Sequence, residues 1–266
     1  MRLISKLPDV PNLSEKSIRM ISDLLFIDDK PFYYNKSYDF CYLGPDVWGK
    51  YDPKFALQIM GNIAFLKDMF SEEVITKIKN MRFTSKIIFT GGINPEYRKD
   101  TEETRYVKKL YTENGKYDWN DVLTTPQSEI MYNRCPLCLG QKPRLEKEST
   151  NTKENFTKVK EAGWYEIVEH LRLLTTAEST LRVLATARKH LPDLQDIATI
   201  SYTPTFPEKG LRCDKENWAA SPLSQQYVYG ELLRVIKYDE MGEIKLKYNK
   251  KRALYNIIRE LNIPQY

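Results

Sequence analysis

Short apolar runs that stop at glycine, proline or small hydroxyl residues, separated by stretches of helical period, constrain this chain more than any other feature. The runs are Tyr38–Leu43 before Gly44-Pro45, Lys86–Thr90 before Gly91-Gly92, Arg144–Glu146, Leu171–Thr176 and Ile197–Tyr202. Apolar segments this short, closed by turn residues, read as buried strands. Between them lie helices. Ser14 stands as an N-cap before Ile18, Ile21, Leu24 and Leu25, and that helix ends near Asp28-Asp29. Asp52-Pro53 reads as an N-cap followed by proline at the first helical position, with Phe55, Ala56, Ile59, Met60, Ile63 and Leu66 in phase behind it. Further helices open after Ser71-Glu72-Glu73, near Asp100 or Thr101, at Thr152 and over 178–190; two more occupy the tail at Ser224–Lys237 and Lys250–Leu261. The stretch 116–143 has no clear period and reads as an inserted, partly irregular excursion. Alternating strands and helices imply an α/β fold: a mostly parallel sheet with helices on both faces, plus helical N- and C-terminal additions. We read 1–266 as one domain, with a helical extension over about 217–266.

Composition excludes several classes. The chain has 266 residues, enough to bury a core without disulfides or metal. Apolar residues make up 41 % and charged residues 29 %, which argues against wholesale disorder. Net charge is +5 from 41 basic and 36 acidic side chains. The densest basic run, Lys245, Lys247, Lys250, Lys251 and Arg252, sits beside Glu243 and reads as a solvated helix end, so no nucleic-acid partner is expected. No apolar run approaches the ~20 residues of a membrane span. Four cysteines make no disulfide framework. These readings together place the chain in the cytoplasm, with no membrane span. They leave its oligomeric state open.

In parallel α/β folds, ligands bind outside the carboxyl ends of the strands. Those ends carry Gly44, then Thr90-Gly91-Gly92, then the loop Ser149-Thr150-Asn151-Thr152-x-Glu154-Asn155, then Thr175–Arg182. Glycines admit close backbone approach, helix N-termini attract anionic groups, and hydroxyls and amides there suit sugar hydroxyls or bases. The same residues have plainer uses as turns, caps and ion-pair partners. Glu102 opens a helix, where a glutamate favours the helix dipole. With Arg182 it is also a candidate catalytic group.

Cys135-Pro136-Leu137-Cys138 has the spacing of half a zinc site. The other cysteines, Cys41 and Cys213, and the two histidines, His170 and His190, supply no second pair at ligand spacing, so no metal is expected. Pro143 and Gly140 close behind disfavour the helix that a redox Cys-x-x-Cys opens. Neither a Walker A motif nor Gly-x-Gly-x-x-Gly is present.

The order Thr90-Gly91-Gly92, Thr101-Glu102-Glu103-Thr104, Glu146-x-x-Ser149-Thr150-Asn151-Thr152-x-Glu154-Asn155 and Arg182 resembles the domain of unknown function shared by SanA, ElyC and YdcF. The likeness runs from about residue 7 to 236, and its YdcF-like side is the nearer one. It implies a Rossmann-like fold. For the YdcF-like members it implies binding of S-adenosylmethionine, and for the anchored members a part in envelope biogenesis. By position the implied pocket falls on Gly44, Gly91, Gly92, Glu102, Asn151, Glu154, Asn155 and Arg182. The chain departs from the pattern in its 116–143 segment and in having Ser179 and Thr180 where many members place a histidine. The expectation is thus a small-molecule-binding protein of the YdcF type. The alternatives are an enzyme acting on a phosphorylated or glycosylated envelope precursor, and an interaction protein that uses the 116–143 insertion and the basic tail.

Overall fold

The structure is a computed structural model and describes residues 8–27, 52–79, 84–115, 117–138 and 143–264. Five parallel strands make one sheet: β1 (Asp52–Met60), β2 (Thr84–Thr90), β3 (Arg144–Glu146), β4 (His170–Thr176) and β5 (Asp196–Tyr202). Their spatial order is β3-β2-β1-β4-β5. The chain therefore builds outward from β1 on one side, then returns to lay β4 and β5 on the other, which is a Rossmann-like α/β arrangement. Register sets Ile59 of β1 beside Phe89 of β2 and Leu174 of β4.

Helices cover both faces. On one, Phe156 and Val159 of α7 (Thr152–Glu161) and Val183, Leu184 and Ala187 of α8 (Thr180–His190) pack on Ala56, Ile88, Leu171, Leu173 and Ile197. On the other, Leu57, Ile59, Ile87, Phe89 and Ile200 meet Met69 of α2 (Leu66–Met69), Val74 and Ile78 of α3 (Glu72–Lys79), and Met131. The same cluster takes in α1 (Glu15–Leu25), capped by Ser14 as its sequence predicts, and two tail helices, α9 (Pro222–Glu240) and α10 (Tyr248–Glu260). A two-residue hairpin, β6 (Thr205–Phe206) with β7 (Leu211–Arg212), fills the proline-broken segment. Among the described residues, no helix is long and apolar enough to cross a membrane.

Two expectations are corrected. The helix expected from Asp52 is strand β1, followed by a single tight turn at Ile63–Phe65 and the four-residue α2. The physical reason is its place in the sheet. A central parallel strand is apolar on both faces, so Phe55-Ala56-Leu57-Gln58-Ile59-Met60 is nearly continuous and satisfies a helical period as readily as a strand's. Its one polar residue betrays it: buried Gln58 donates to the Asn155 carbonyl (2.9 Å) and accepts from the Tyr165 hydroxyl. Second, the 116–143 excursion holds two helices, α5 (Trp119–Thr124) and α6 (Gln127–Arg134). Each lasts under ten residues, too short to show a period. α6 packs on β2 and β3. The remaining long helix, α4 (Glu102–Gly115), begins where expected. The strand expected at 38–43, with Cys41 and Gly44, lies outside the described residues.

Ile59 is fully buried between the two central partners of β1. Ile59→Ala should lower stability by about 2–5 kcal/mol. Lys77→Ala, which removes an exposed helix pair with Glu73, should change it by less than ~0.5 kcal/mol. Urea denaturation of the two variants checks both.

Candidate ligand-binding crevice

The strand order reverses between β1 and β4, and a cavity of about 340 Å³ opens at the carboxyl ends of the strands around that point. Gly61 and Asn62 enter it from β1, Gly91 and Gly92 from β2, Ser149 through Thr152 from the loop after β3, and Glu178 and Ser179 from the turn after β4. Helices close the sides. α6 supplies Gln127, α4 supplies Thr104, Val107 and Leu110, α8 supplies Arg182, and α9 supplies Tyr227, Glu231, Arg234 and Tyr238.

The floor is stitched through Gly91-Gly92. The Gly61 amide donates to the Thr90 carbonyl (3.0 Å), which ties β1 to β2. The Gly92 amide donates to the Ser149 carbonyl (2.7 Å), which ties β2 to the loop after β3. The Gly91 and Gly92 carbonyls accept from the Ser128 and Gln127 amides at the start of α6 (2.8 and 3.2 Å). Glycine is required here. Gly91 has φ +136°, and a Cβ on Gly92 would lie 2.7 Å from the Lys147 carbonyl oxygen and 2.9 Å from that of Ser149.

The loop of residues 146–155 is built from side chains that bond to its own backbone. The Glu146 carboxylate accepts from the Glu148 and Ser149 amides (2.6 and 2.9 Å) and from the Ser149 hydroxyl, which also faces the Asn155 side chain. Asn151 caps α7 by accepting from the Glu154 amide (3.0 Å). Glu154 returns to the Thr150 amide and hydroxyl (2.7 and 2.9 Å). Burial alone raises the Glu154 pKa, but these bonds outweigh it and leave it below the ordinary carboxylate value. The loop is thus held by its own side chains, and it presents the N-terminus of α7 to the cavity.

At the deep end sits a buried ion pair. Arg182 makes a bidentate contact with Glu231 (2.5 and 3.2 Å), donates to the Thr152 hydroxyl, and lies over the Tyr238 ring at 5.5 Å. Glu231 is 1 % exposed and also accepts from Arg234 (3.2 Å). Glu178 is buried beside them, and its Oε2 has no hydrogen-bond partner among the described residues. Desolvation raises the Glu178 carboxyl to about 7, against bonds from its own amide and Thr176 that lower it, with the Glu231 charge pushing the same way as burial and Arg234 opposing.

The structure gathers Gly91, Gly92, Ser149, Asn151, Thr152, Asn155 and Arg182 around one cavity. Thr90 and Glu154 do not line it: Thr90 is wholly buried beneath the turn, and Glu154 is turned to Thr150. The Glu102 side chain lies outside the described atoms, although Thr101 and Thr104 on either side reach the cavity. Arg182, a catalytic candidate by sequence, has its charge committed to Glu231. Gly61 and Asn62 carry no site signal in the sequence because β1 satisfies a helical period as readily as a strand's, and Gln127 carries none because α6 is too short to show a period. Glu231 is not legible as a partner, because a residue 49 positions from Arg182 leaves no local trace. One signal was present: Glu231 is a carboxylate amid Val228, Leu232 and Val235 on the apolar side of a helix. Cys135 and Cys138 follow α6 as buried free thiols. A hydrogen bond from the Cys138 thiol to the Cys135 sulfur lowers the Cys135 pKa and raises that of Cys138. Among the described residues, no three His, Cys, Asp or Glu side chains gather at metal-binding positions.

No protein-family model matches the chain, and no curated protein matches it. Among solved structures it is similar to the T5 D15 protein co-crystallised with metal ions, at 15 % identity over 77 % of this chain and 74 % of that one, with a TM-score of 0.28. A likeness at that level carries no argument about this crevice.

Two predictions follow from the geometry. Gly92→Ala forces a Cβ against backbone that is hydrogen-bonded on both sides, and should cost at least ~2 kcal/mol by denaturant titration. For Glu178 the folded pKa, about 7, lies above the ordinary 4.5. Its contribution is therefore fully present below pH 4.5 and is lost as pH rises to about 7, a change on the order of 3 kcal/mol. Glu178→Gln should remove that loss, so the variant gains on the parent between pH 5 and 8. Parallel pH–stability curves measure the difference.

Proposed function

We propose that the crevice binds a nucleotide-like small molecule, with S-adenosylmethionine the first ligand to test. One observation carries the reading: a cavity at the switch point of a parallel sheet, walled by backbone at three glycines and by the N-terminus of α7. Backbone amides at such a place suit an anionic group, and glycines let a flat or ribose-bearing ligand approach the strand ends. Asn62 lies two residues beyond β1 and makes no side-chain cap bond to the turn that follows it, so its amide is available to a ligand hydroxyl or base edge. Tyr97 and Tyr227 add aromatic surface at the walls. The name S-adenosylmethionine comes from the sequence resemblance, and the cavity's size and mixed polarity are compatible with it.

Titration calorimetry with S-adenosylmethionine, its demethylated product and common nucleotides tests the reading. Saturable binding of at least one is expected. Asn62→Ala should weaken it about tenfold, roughly 1.4 kcal/mol, with unfolding stability little changed. No heat from any of these ligands at millimolar concentration would overturn the proposal.

A further inference from the structure

The deep end of the crevice has an unbalanced charge arrangement that binding a nucleoside does not by itself explain. Three charged groups meet there: Arg182 from α8, and Glu231 and Arg234 from α9. Glu231 is shared by both guanidinium groups. Arg182 is spent on Glu231 and Thr152. Arg234 is the more open of the two, with its side chain 32 % exposed and, among the described residues, one bond, from Nη1 to Glu231. One carboxylate against two guanidinium groups leaves one positive charge. The fourth group is Glu178, which lines the same cavity and whose buried Oε2 has no partner among the described residues.

We propose that this end is a subsite for a singly charged anionic group of the bound ligand, a phosphate ester or carboxylate, held by Arg234 and by the Glu178 carboxyl acting as a hydrogen-bond donor in its protonated form. The inference rests on the nucleotide-like reading of the crevice and adds where the ligand's charge lies. Protonated Glu178 keeps the spare positive charge for the ligand. Ionised Glu178 cancels that charge and sets a second anion against the incoming one. The groups around Glu178 agree. Arg182, Glu231 and Arg234 face it from α8 and α9, and Tyr202 at the end of β5 and Cys213 after β7 are buried within its field. Burial pushes both the Tyr202 hydroxyl and the Cys213 thiol up, so neither adds charge near neutral pH. A carboxyl poised to about 7 by this burial converts between donor and repeller over the physiological range. Anion binding must then take up a proton.

The experiment uses two probes whose own charge is constant from pH 6 to 8: adenosine, and the methyl phosphodiester of adenosine 5′-monophosphate. Calorimetry on the full chain at pH 6 and pH 8, in buffers of different ionisation enthalpy, reads both affinity and protons exchanged. The phosphodiester should bind about tenfold more tightly at pH 6 than at pH 8, the ratio of protonated Glu178 at those two values. Near pH 8 it should take up close to one proton. Adenosine should bind more weakly than the phosphodiester at pH 6 and show no pH dependence. Glu178→Gln should abolish the pH dependence while keeping phosphodiester binding. Equal phosphodiester affinity at the two pH values without proton uptake, or phosphodiester binding no tighter than adenosine, overturns the subsite and leaves the nucleotide reading standing. Binding of neither probe overturns both. The wild-type arm decides the matter even if the variant fails to fold.

Discussion

Everything at the carboxyl end of the sheet depends on the paired glycines that close β2. Two consecutive residues without Cβ atoms let four segments share one small volume: the end of β1, the turn itself, the loop after β3 and the first turn of α6. The four backbone hydrogen bonds made there use donors and acceptors that would otherwise be left over where strands stop. Side chains would wedge these backbones apart, because a Cβ at Gly92 would stand closer to carbonyl oxygens than packed atoms stand. The turn therefore fixes both the shape of the crevice floor and the angle at which α6 leaves it.

The second constraint is electrostatic. Burying Arg182 and Glu231 strips both of water, a cost that the bidentate geometry, the Thr152 hydroxyl and the Tyr238 face offset. Burial opposes the guanidinium charge, yet the neighbouring carboxylate holds the Arg182 pKa above its ordinary value. The pair ties α8 to α9, so the tail helix is a wall of the cavity and not an appendage. α9 brings four of the lining residues, separated from the first strand by more than 160 residues of chain. Glu178 is the counterpoint, a carboxyl just as deeply buried with no cation in direct contact among the described residues. Its raised pKa is the consequence.

The loop of residues 146–155 separates residues that face the cavity from residues that hold the loop. Glu146 and Glu154 act inward on amides and hydroxyls of their own segment. Asn151 caps α7 while its segment lines the cavity. Residues grouped by spacing as one motif thus divide between framework and wall, and the fold around the loop decides which side chain turns which way.

The sequence by itself determined the alternation of strands β2 to β5 with helices, the capped start of α1, the glycine turn after β2 and the α/β class. These rest on local rules: apolar runs of strand length, capping residues, and backbone positions only glycine tolerates. It did not determine that 52–60 is a strand, because a strand buried on both faces carries no alternation to distinguish it from a helix. Most candidates at the ends of β2, β3 and β4 converge on one cavity, Thr90 and Glu154 excepted, since parallel strands bring their carboxyl ends to one edge. Only the tertiary structure decided what they converge upon. Asn62, Gln127, Glu231 and Arg234 come from distant segments, and the reversal of strand order between β1 and β4, a property of packing and not of any local stretch, brings them to one cavity.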